Sequence, residues 1–201
     1  MNYLGIDTSG APLTVVLRYG GKNYQYAEEN CGTRHSVALM PAVDALLKEA
    51  GARLSELDFF ACVVGAGSFT GIRIGVSAVK ALCFAENKNA LPLTSFDVLA
   101  YDVPNGSALC VIDARHGAYY VQVYENFRPA GEAKFVLAEE YEALCARYSV
   151  AAATEVPHLS HRCDVTKGLC AAIEGRAAEN TADLDALRPL YIRKSQAEEG
   201  R

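Results

Sequence analysis

The chain has 201 residues, of which 51% are hydrophobic and 21% charged, with 16 glycines and 7 prolines. That ordinary globular composition excludes a disordered chain, a collagen-like repeat or a disulfide scaffold, and it suffices for one domain or two small lobes. The net charge of −5 and pI of about 5.4 come without a basic face, so the chain is not expected to hold nucleic acid by itself. No apolar run reaches the roughly 18 residues of a membrane span. The opening Met1-Asn2-Tyr3-Leu4-Gly5-Ile6-Asp7 reads as a strand, with no secretory leader. The seven cysteines form no C-x-x-C pair and mostly sit in apolar segments, as buried thiols of a reducing compartment do; the expected location is the cytoplasm.

In chain order, residues 3–6 are an apolar run closed by Asp7 and the turn residues Thr8-Ser9-Gly10. Residues 13–19 are β-branched and apolar, Gly20-Gly21 marks a hairpin, and 23–27 alternate, so a three-stranded meander is predicted. A helix over 36–50 stops at Gly51; Pro41 should bend it without ending it, because residues 42–47 continue the period. A buried strand over 58–64, a glycine-rich turn, a helix over 71–86, a strand over 91–94 and a short helix over 96–101 follow. Leu109-Cys110-Val111-Ile112-Asp113 then repeats the form of Tyr3-Leu4-Gly5-Ile6-Asp7, again with a glycine turn (Gly117) and a second strand over 118–124. The repeat predicts an α/β protein of two similar lobes: residues 1–100, joined by a C-terminal return of 186–201, and residues 101–185. A helix near 139–148, a strand near 150–154 and helical stretches to about 186 complete the second lobe.

The segment Gly65-Ala66-Gly67-Ser68-Phe69-Thr70-Gly71-Ile72-Arg73-Ile74-Gly75 lies between a buried strand and a helix, where backbone N–H groups can cradle an anion. It is neither a P-loop nor a dinucleotide fingerprint, lacking Gly-Lys-Ser/Thr and carrying its third glycine one residue late. Ala66 also excludes a nucleophile elbow. A tight turn whose glycines permit close packing accounts for the segment equally well. Asp7 and Asp113 end the two repeat strands, at places that resemble those of the metal-holding acids in actin-like and Hsp70-like ATPases; turn capping is the simpler role for each. Asp7, Ser9, Gly67, Ser68, Thr70, Gly71 and Asp113 are therefore the candidate remnant of a nucleotide or anion site. The second-lobe Gly-Gly of such ATPases is missing, since Gly20-Gly21 is the only such pair, and this argues against a competent ATPase. His158-Leu159-Ser160-His161-Arg162-Cys163-Asp164 has no recognised ligand spacing, His35 and His116 are isolated, and no H-E-x-x-H occurs. Neither a metal site nor a catalytic residue is expected.

The two long helices carry more apolar surface than one face needs. In 36–50, Val37, Leu39, Met40, Val43, Leu46 and Leu47 spread around the axis, and in 71–86 the polar Arg73, Ser77 and Lys80 make one narrow stripe. Either both helices are sandwiched within their own domain, or they also pack against the same pair from another subunit. On the second reading, Leu39 or Val43 replaced by Glu would break the assembly.

Leu4-Gly5-Ile6-Asp7-Thr8-Ser9, Arg34-His35-Ser36 with Leu39-Met40-Pro41, the glycine-rich segment, Asp113-Ala114-Arg115 and Pro189-Leu190-Tyr191-Ile192-Arg193 occur in this order. Together they resemble the TsaB family, dimerisation subunits of the bacterial tRNA threonylcarbamoyladenosine machinery, over nearly the whole chain. Ala66, where the family usually has Pro, and a compact second lobe are the departures. The resemblance implies a two-lobed actin-like, Hsp70-like fold with duplicated hairpin-containing mixed sheets. It implies a heterodimer with the catalytic paralogue TsaD, a further partner in the ATPase TsaE, a homodimer when alone, and contact with tRNA only through the complex. Arg188, Arg193 and Lys194 are the residues nearest to a tRNA-contacting group, or else bridge the lobes. TsaD-like proteins carry a metal-binding H-x-x-x-H where this chain has Ser95 and Leu99, and neither can replace an imidazole. A non-catalytic subunit requiring no cofactor follows, with ATP or ADP at an interface of the complex left open. The alternatives are a nucleotide-dependent small-molecule kinase of the same superfold, which would need the adenosine turn, and a metallopeptidase, an older label of the family, which would need the metal ligands.

Overall fold

The structure is a computed structural model and describes residues 1–193. Its first three strands, β1 (Tyr3–Asp7), β2 (Leu13–Tyr19) and β3 (Lys22–Glu28), form the meander, turned between β2 and β3 by Gly20 and Gly21 at φ 57° and 79°. Positive φ at both positions is what a two-residue hairpin turn requires. Then α1 (His35–Ala50) runs through Pro41 and ends on Gly51, whose left-handed backbone donates N–H to the Leu47 and Lys48 carbonyls. β4 (Phe59–Val63) leads into α2 (Phe69–Glu86), which starts two residues earlier than expected because the Ser68 hydroxyl caps it by accepting from Gly71 N–H. β5 (Asn89–Leu93) and α3 (Ser95–Asp102) follow, the latter opened by a reciprocal Thr94–Asp97 capping box.

The second half contains β6 (Ala108–Asp113), β7 (Ala118–Glu125), β8 (Arg128–Pro129), β9 (Lys134–Leu137), α4 (Ala138–Cys145), β10 (Val150–Ala152), β11 (Leu159–Arg162) and α5 (Val165–Arg176). The two sheets repeat one plan. The first has the order β3-β2-β1-β4-β5, and the second β11-β10-β6-β7-β8, with β9 also on β7. β1 is antiparallel to β2 and parallel to β4; β6 is antiparallel to β7 and parallel to β10. The strands that end in Ile-Asp therefore hold equivalent places, as the repeat predicted. β8, β9 and β11 were not anticipated, and the segment of β11 was expected to be helical. These are short strands joined by backbone pairing, and β11 alternates half-buried with exposed residues, which leaves no hydrophobic periodicity to read.

Alternation in β1 and β4 feeds two cores. Leu4, Ile6, Phe60 and Cys62 meet α1 and α2 on one face, while Tyr3, Phe59, Ala61 and Val63 meet Val98 of α3 and Leu169, Ala172 and Ile173 of α5 on the other. α5 lies within the 101–185 span expected as the second lobe, yet it packs on the first sheet. α3 is a wedge: Val98 faces the first sheet, and Phe96, Leu99 and Ala100 face Cys110 and Tyr124 of the second. The other face of the second sheet is closed by α4 through Tyr141. Beyond the last helix the chain returns to the first half: Leu187 is buried in its core, Leu190 N–H donates to Val64 O at 2.7 Å, and Tyr191 stacks on Phe69 with centroids 4.4 Å apart. Residues 194–201 of the expected return, including Lys194 and Arg201, lie outside the described residues.

Candidate functional site

Between the sheets lies a cavity of about 620 Å³, bordered by Asp7, Ser9, Ala66, Ser95, Ile112 and Asp164 among others. Asp7 ends β1 and is only 6% exposed. Its Oδ1 accepts from Ser9 N–H at 2.8 Å and from Ser9 Oγ at 2.7 Å; Ser9 Oγ lies 3.0 Å from Ser95 Oγ, which donates to Ala66 O at 2.6 Å. Burial pushes the Asp7 carboxyl above its ordinary pKa, and the Ser9 hydrogen bonds pull against that rise.

The remaining remnant candidates do not join Asp7. Asp113 is exposed, lies off the cavity wall, and accepts from Arg115 N–H at 2.7 Å, so it caps its own turn. Ser68 is occupied as the α2 cap and Thr70 is exposed. The glycine-rich turn clasps α2 to the end of β1. Ser68 N–H donates to Ser9 O at 2.8 Å, Gly71 N–H goes to Ser68 Oγ at 3.2 Å, and Thr8 Oγ1 donates to Gly71 O at 2.7 Å. A Cβ at Gly67 would meet the Ser9 carbonyl oxygen, one at Gly71 the Thr8 carbonyl oxygen, and one at Gly75 would lie 2.5 Å from Thr8 Oγ1. The glycines let α2 settle directly on the end of β1, and the Ser68 and Gly71 amides are taken by this packing.

Charge in the cavity is unfavourable to an anion as well. Glu29 and Asp164 line it beside the buried Asp7, and the guanidinium of Arg162 is 3.1 Å from Glu155. The positions of the family's H-x-x-x-H fit no metal: Ser95 donates its hydroxyl to a carbonyl, and Leu99 is buried in the core between α3 and the second sheet. His35 Nδ1 is 2.6 Å from Gly32 O, and His158 Nε2 is 2.7 Å from Glu142. All seven cysteines are free, five of them buried.

The helix residues divide sharply. Leu39, Val43 and Leu46 are 1–3% exposed and fill the chain's own core, so they are not a surface awaiting a subunit. Of the large apolar candidates on α1, Val37 and Met40 reach solvent, at 65% and 46%, with Leu47 between the two groups. On α2, Arg73 and Ser77 are exposed and Lys80 half-buried, and Phe84 continues their stripe at 85% exposure. Sequence periodicity overlooked Phe84, although its spacing from Ser77 and Lys80 puts it on that stripe. A buried junction was also missed: Asp97, 1% exposed, accepts from Thr94 N–H, Tyr124 OH at 2.8 Å and Arg176 Nη1 at 2.6 Å, tying α3, the second sheet and α5 together. Of the C-terminal cations, Arg188 is 3.8 Å from Asp185, and Arg193 lies over the Phe135 ring of β9.

The family model described as "TsaD: tRNA N6-adenosine threonylcarbamoyltransferase" matches residues 27–160. The tRNA threonylcarbamoyladenosine biosynthesis protein TsaB of Haemophilus influenzae is 28% identical over 128 residues, 61% of this chain and 54% of that protein. TsaB of Bacillus subtilis is 32% identical over 135 residues, covering 62% and 56%. The matched stretch thus spans about half the length of these curated relatives. Among solved structures, a Pseudomonas aeruginosa protein described as similar to peptidase YEAZ superposes with a TM-score of 0.79 at 26% identity, over 96% of this chain and 99% of that one. YeaZ from Pseudomonas aeruginosa gives 0.76 at 25% identity over 94% and 99%. The expected two-lobed fold is the one found. Among the described residues no helix is long and apolar enough to cross a membrane.

Proposed function

The chain belongs to the tRNA N6-adenosine threonylcarbamoyltransferase family and resembles its TsaB relatives, and from that premise we propose that it is a non-catalytic subunit of a threonylcarbamoyl-transferring complex. Its role is to bind TsaD and hold it in an active arrangement for transfer of threonylcarbamoyl to N6 of adenosine 37, in tRNAs reading codons that begin with A, with TsaE joining the pair. The observation that carries this reading is the outward face of α1 and α2. Val37, Met40 and Phe84 are large apolar side chains exposed on two helices that share one layer, and a subunit contact there would cover them. The site positions agree: Ser95 and Leu99 offer no metal ligand, and the cavity gathers carboxylates where a triphosphate would need cations.

The test is reconstitution with TsaD, TsaE, tRNA and a supply of threonylcarbamoyl-adenylate, followed by mass analysis of nucleosides. Omitting this chain should abolish the modified adenosine, and Met40→Glu with Phe84→Glu should lose both TsaD binding and modification while the isolated fold stays intact. Full-rate modification without the chain would refute the reading. For the isolated chain, weak or no ATP binding and no turnover are expected by calorimetry and phosphate release; micromolar affinity would overturn that part. Any direct tRNA contact through this chain falls to Arg188, Arg193 and Lys194 in the C-terminal segment.

A further inference from the structure

Beside the cavity, whose wall includes Cys163 and Asp164, the end of α3 meets β11 and the start of α5. Asp102, the last residue of α3, has a side chain 4% exposed, although it sits at a helix end. Its Oδ2 accepts from His161 Nε2 at 3.1 Å and from Asp164 N–H at 3.0 Å. Its Oδ1 is buried and has no hydrogen-bond partner. The nearest cation is Lys167 Nζ at 4.0 Å, beyond hydrogen-bond reach, on a side chain that is 79% exposed. Cys163 is buried beside them, its Sγ 3.6 Å from Leu99 O. The ligand atoms of Asp102, His161 and Cys163 all lie within 4.8 Å of one another. A buried carboxylate oxygen without a donor calls for a partner, and this one sits beside an imidazole and a thiol.

We propose that Asp102, His161 and Cys163 bind a divalent transition metal, of which zinc fits best. Mixed O, N and S donors suit zinc, whereas magnesium and calcium avoid sulfur. Metal–ligand lengths of about 2.0–2.3 Å place such donors about 3–4 Å apart, so the cluster closes by roughly an ångström on binding. His161, with 36% of its side chain exposed, has room to make that adjustment. On binding, Cys163 releases its thiol proton to solvent; His161 turns Nε2 from Asp102 to the metal, its Nε2 proton passing to solvent while Nδ1 takes one up, so the ring stays neutral with its proton on Nδ1. Asp102 supplies an oxygen, including the orphaned Oδ1. Three protein ligands would leave a fourth position for water. Sequence spacing alone could not find this site, because His161-Arg162-Cys163 supplies two ligands and the third arrives from α3 through the fold.

The experiment loads the purified full chain with Zn²⁺, removes excess by dialysis and counts metal, then repeats with Co²⁺ and reads the thiolate-to-cobalt charge-transfer band in the near ultraviolet. One zinc per chain and a clear band are expected. Cys163→Ser should remove the band, and His161→Ala should weaken zinc by more than the roughly 10–100-fold typical of losing an outer partner. His161 is half exposed, so that variant is expected to fold if Cys163→Ser does not. No zinc on the wild-type chain, or zinc and band retained in His161→Ala, would overturn the site. None of these readouts depends on tRNA modification.

Discussion

Asp7 and Asp113 close equivalent strands of two sheets built to the same order, yet one is sealed in and the other is in solvent. The strands themselves do not cause the difference. After β4 the chain makes the glycine clasp and lays the eighteen-residue α2 over Thr8 and Ser9. After β10, which holds the place of β4, it turns back through residues 153–158 into β11 without such a helix, so among the described residues no counterpart of α2 covers the end of β6. Arg115 and His116 also take left-handed φ values of 70° and 57° where the first lobe has Ser9 and Gly10. A duplicated strand therefore does not imply a duplicated environment, because an acid's chemistry is set by what the following segment places over it.

The largest effect should come from cutting the junction between the halves. Asp97→Ala removes the acceptor shared by Thr94, Tyr124 and Arg176, and should cost about 3–5 kcal/mol in denaturant unfolding, as breaking a buried ion pair does. A loss below about 1 kcal/mol would mean the two sheets are held by apolar packing of α3 alone. Next comes the clasp. Gly71→Ala drives a methyl against the Thr8 carbonyl and should cost about 1–3 kcal/mol. Gly131→Ala, with nothing near its Cβ, should stay within about 0.5 kcal/mol, and equal effects at the two glycines would remove the clasp from the explanation.

The smallest effect is the most diagnostic, because it sets the two acids side by side. The folded Asp7 carboxyl has its pKa raised by burial, so the native state holds a proton that the unfolded state gives up. Stability is then lost as pH climbs from the usual carboxylate range through the raised value. Asn at position 7 can still accept from Ser9 N–H and Oγ and carries no charge. Asp7→Asn should accordingly melt higher than wild type at neutral pH, with the gap closing as pH falls into the carboxylate range. Asp113→Asn should change stability by less than about 0.5 kcal/mol at any pH. A destabilised Asp7→Asn at neutral pH would show that its charge is stabilised by something other than the contacts described.

The legibility of this molecule followed the range of its interactions. β1, β2, β6 and β7 are readable because each alternates or runs apolar over several residues and ends at a turn. β8, β9 and β11 are not, since their register comes from a neighbour's backbone. On α1, the apolar residues were visible but not their partition. Leu39, Val43 and Leu46 form the inward row and Val37 and Met40 the outward one, and only the sheet beneath decides which row is core. The glycine-rich turn was recognisable as special, while its purpose depended on carbonyls sixty residues earlier in the chain. Asp97 showed only its Thr94-x-x-Asp97 capping spacing and Asp102 nothing, because their other partners come from β7, β11 and α5.

The return of the chain to its starting sheet bears on how the protein is made. Ile173 and Leu187, which complete the two cores around β1, lie beyond every strand in the sequence. A nascent chain emerges from its N-terminus, so the first meander is available early while the side chains that cover it are still untranslated. Ribosome-held chains stopped before residue 165 should leave residues 1–100 open to protease, and chains carrying residues through 191 should protect them. What is synthesised last is needed to finish what was synthesised first.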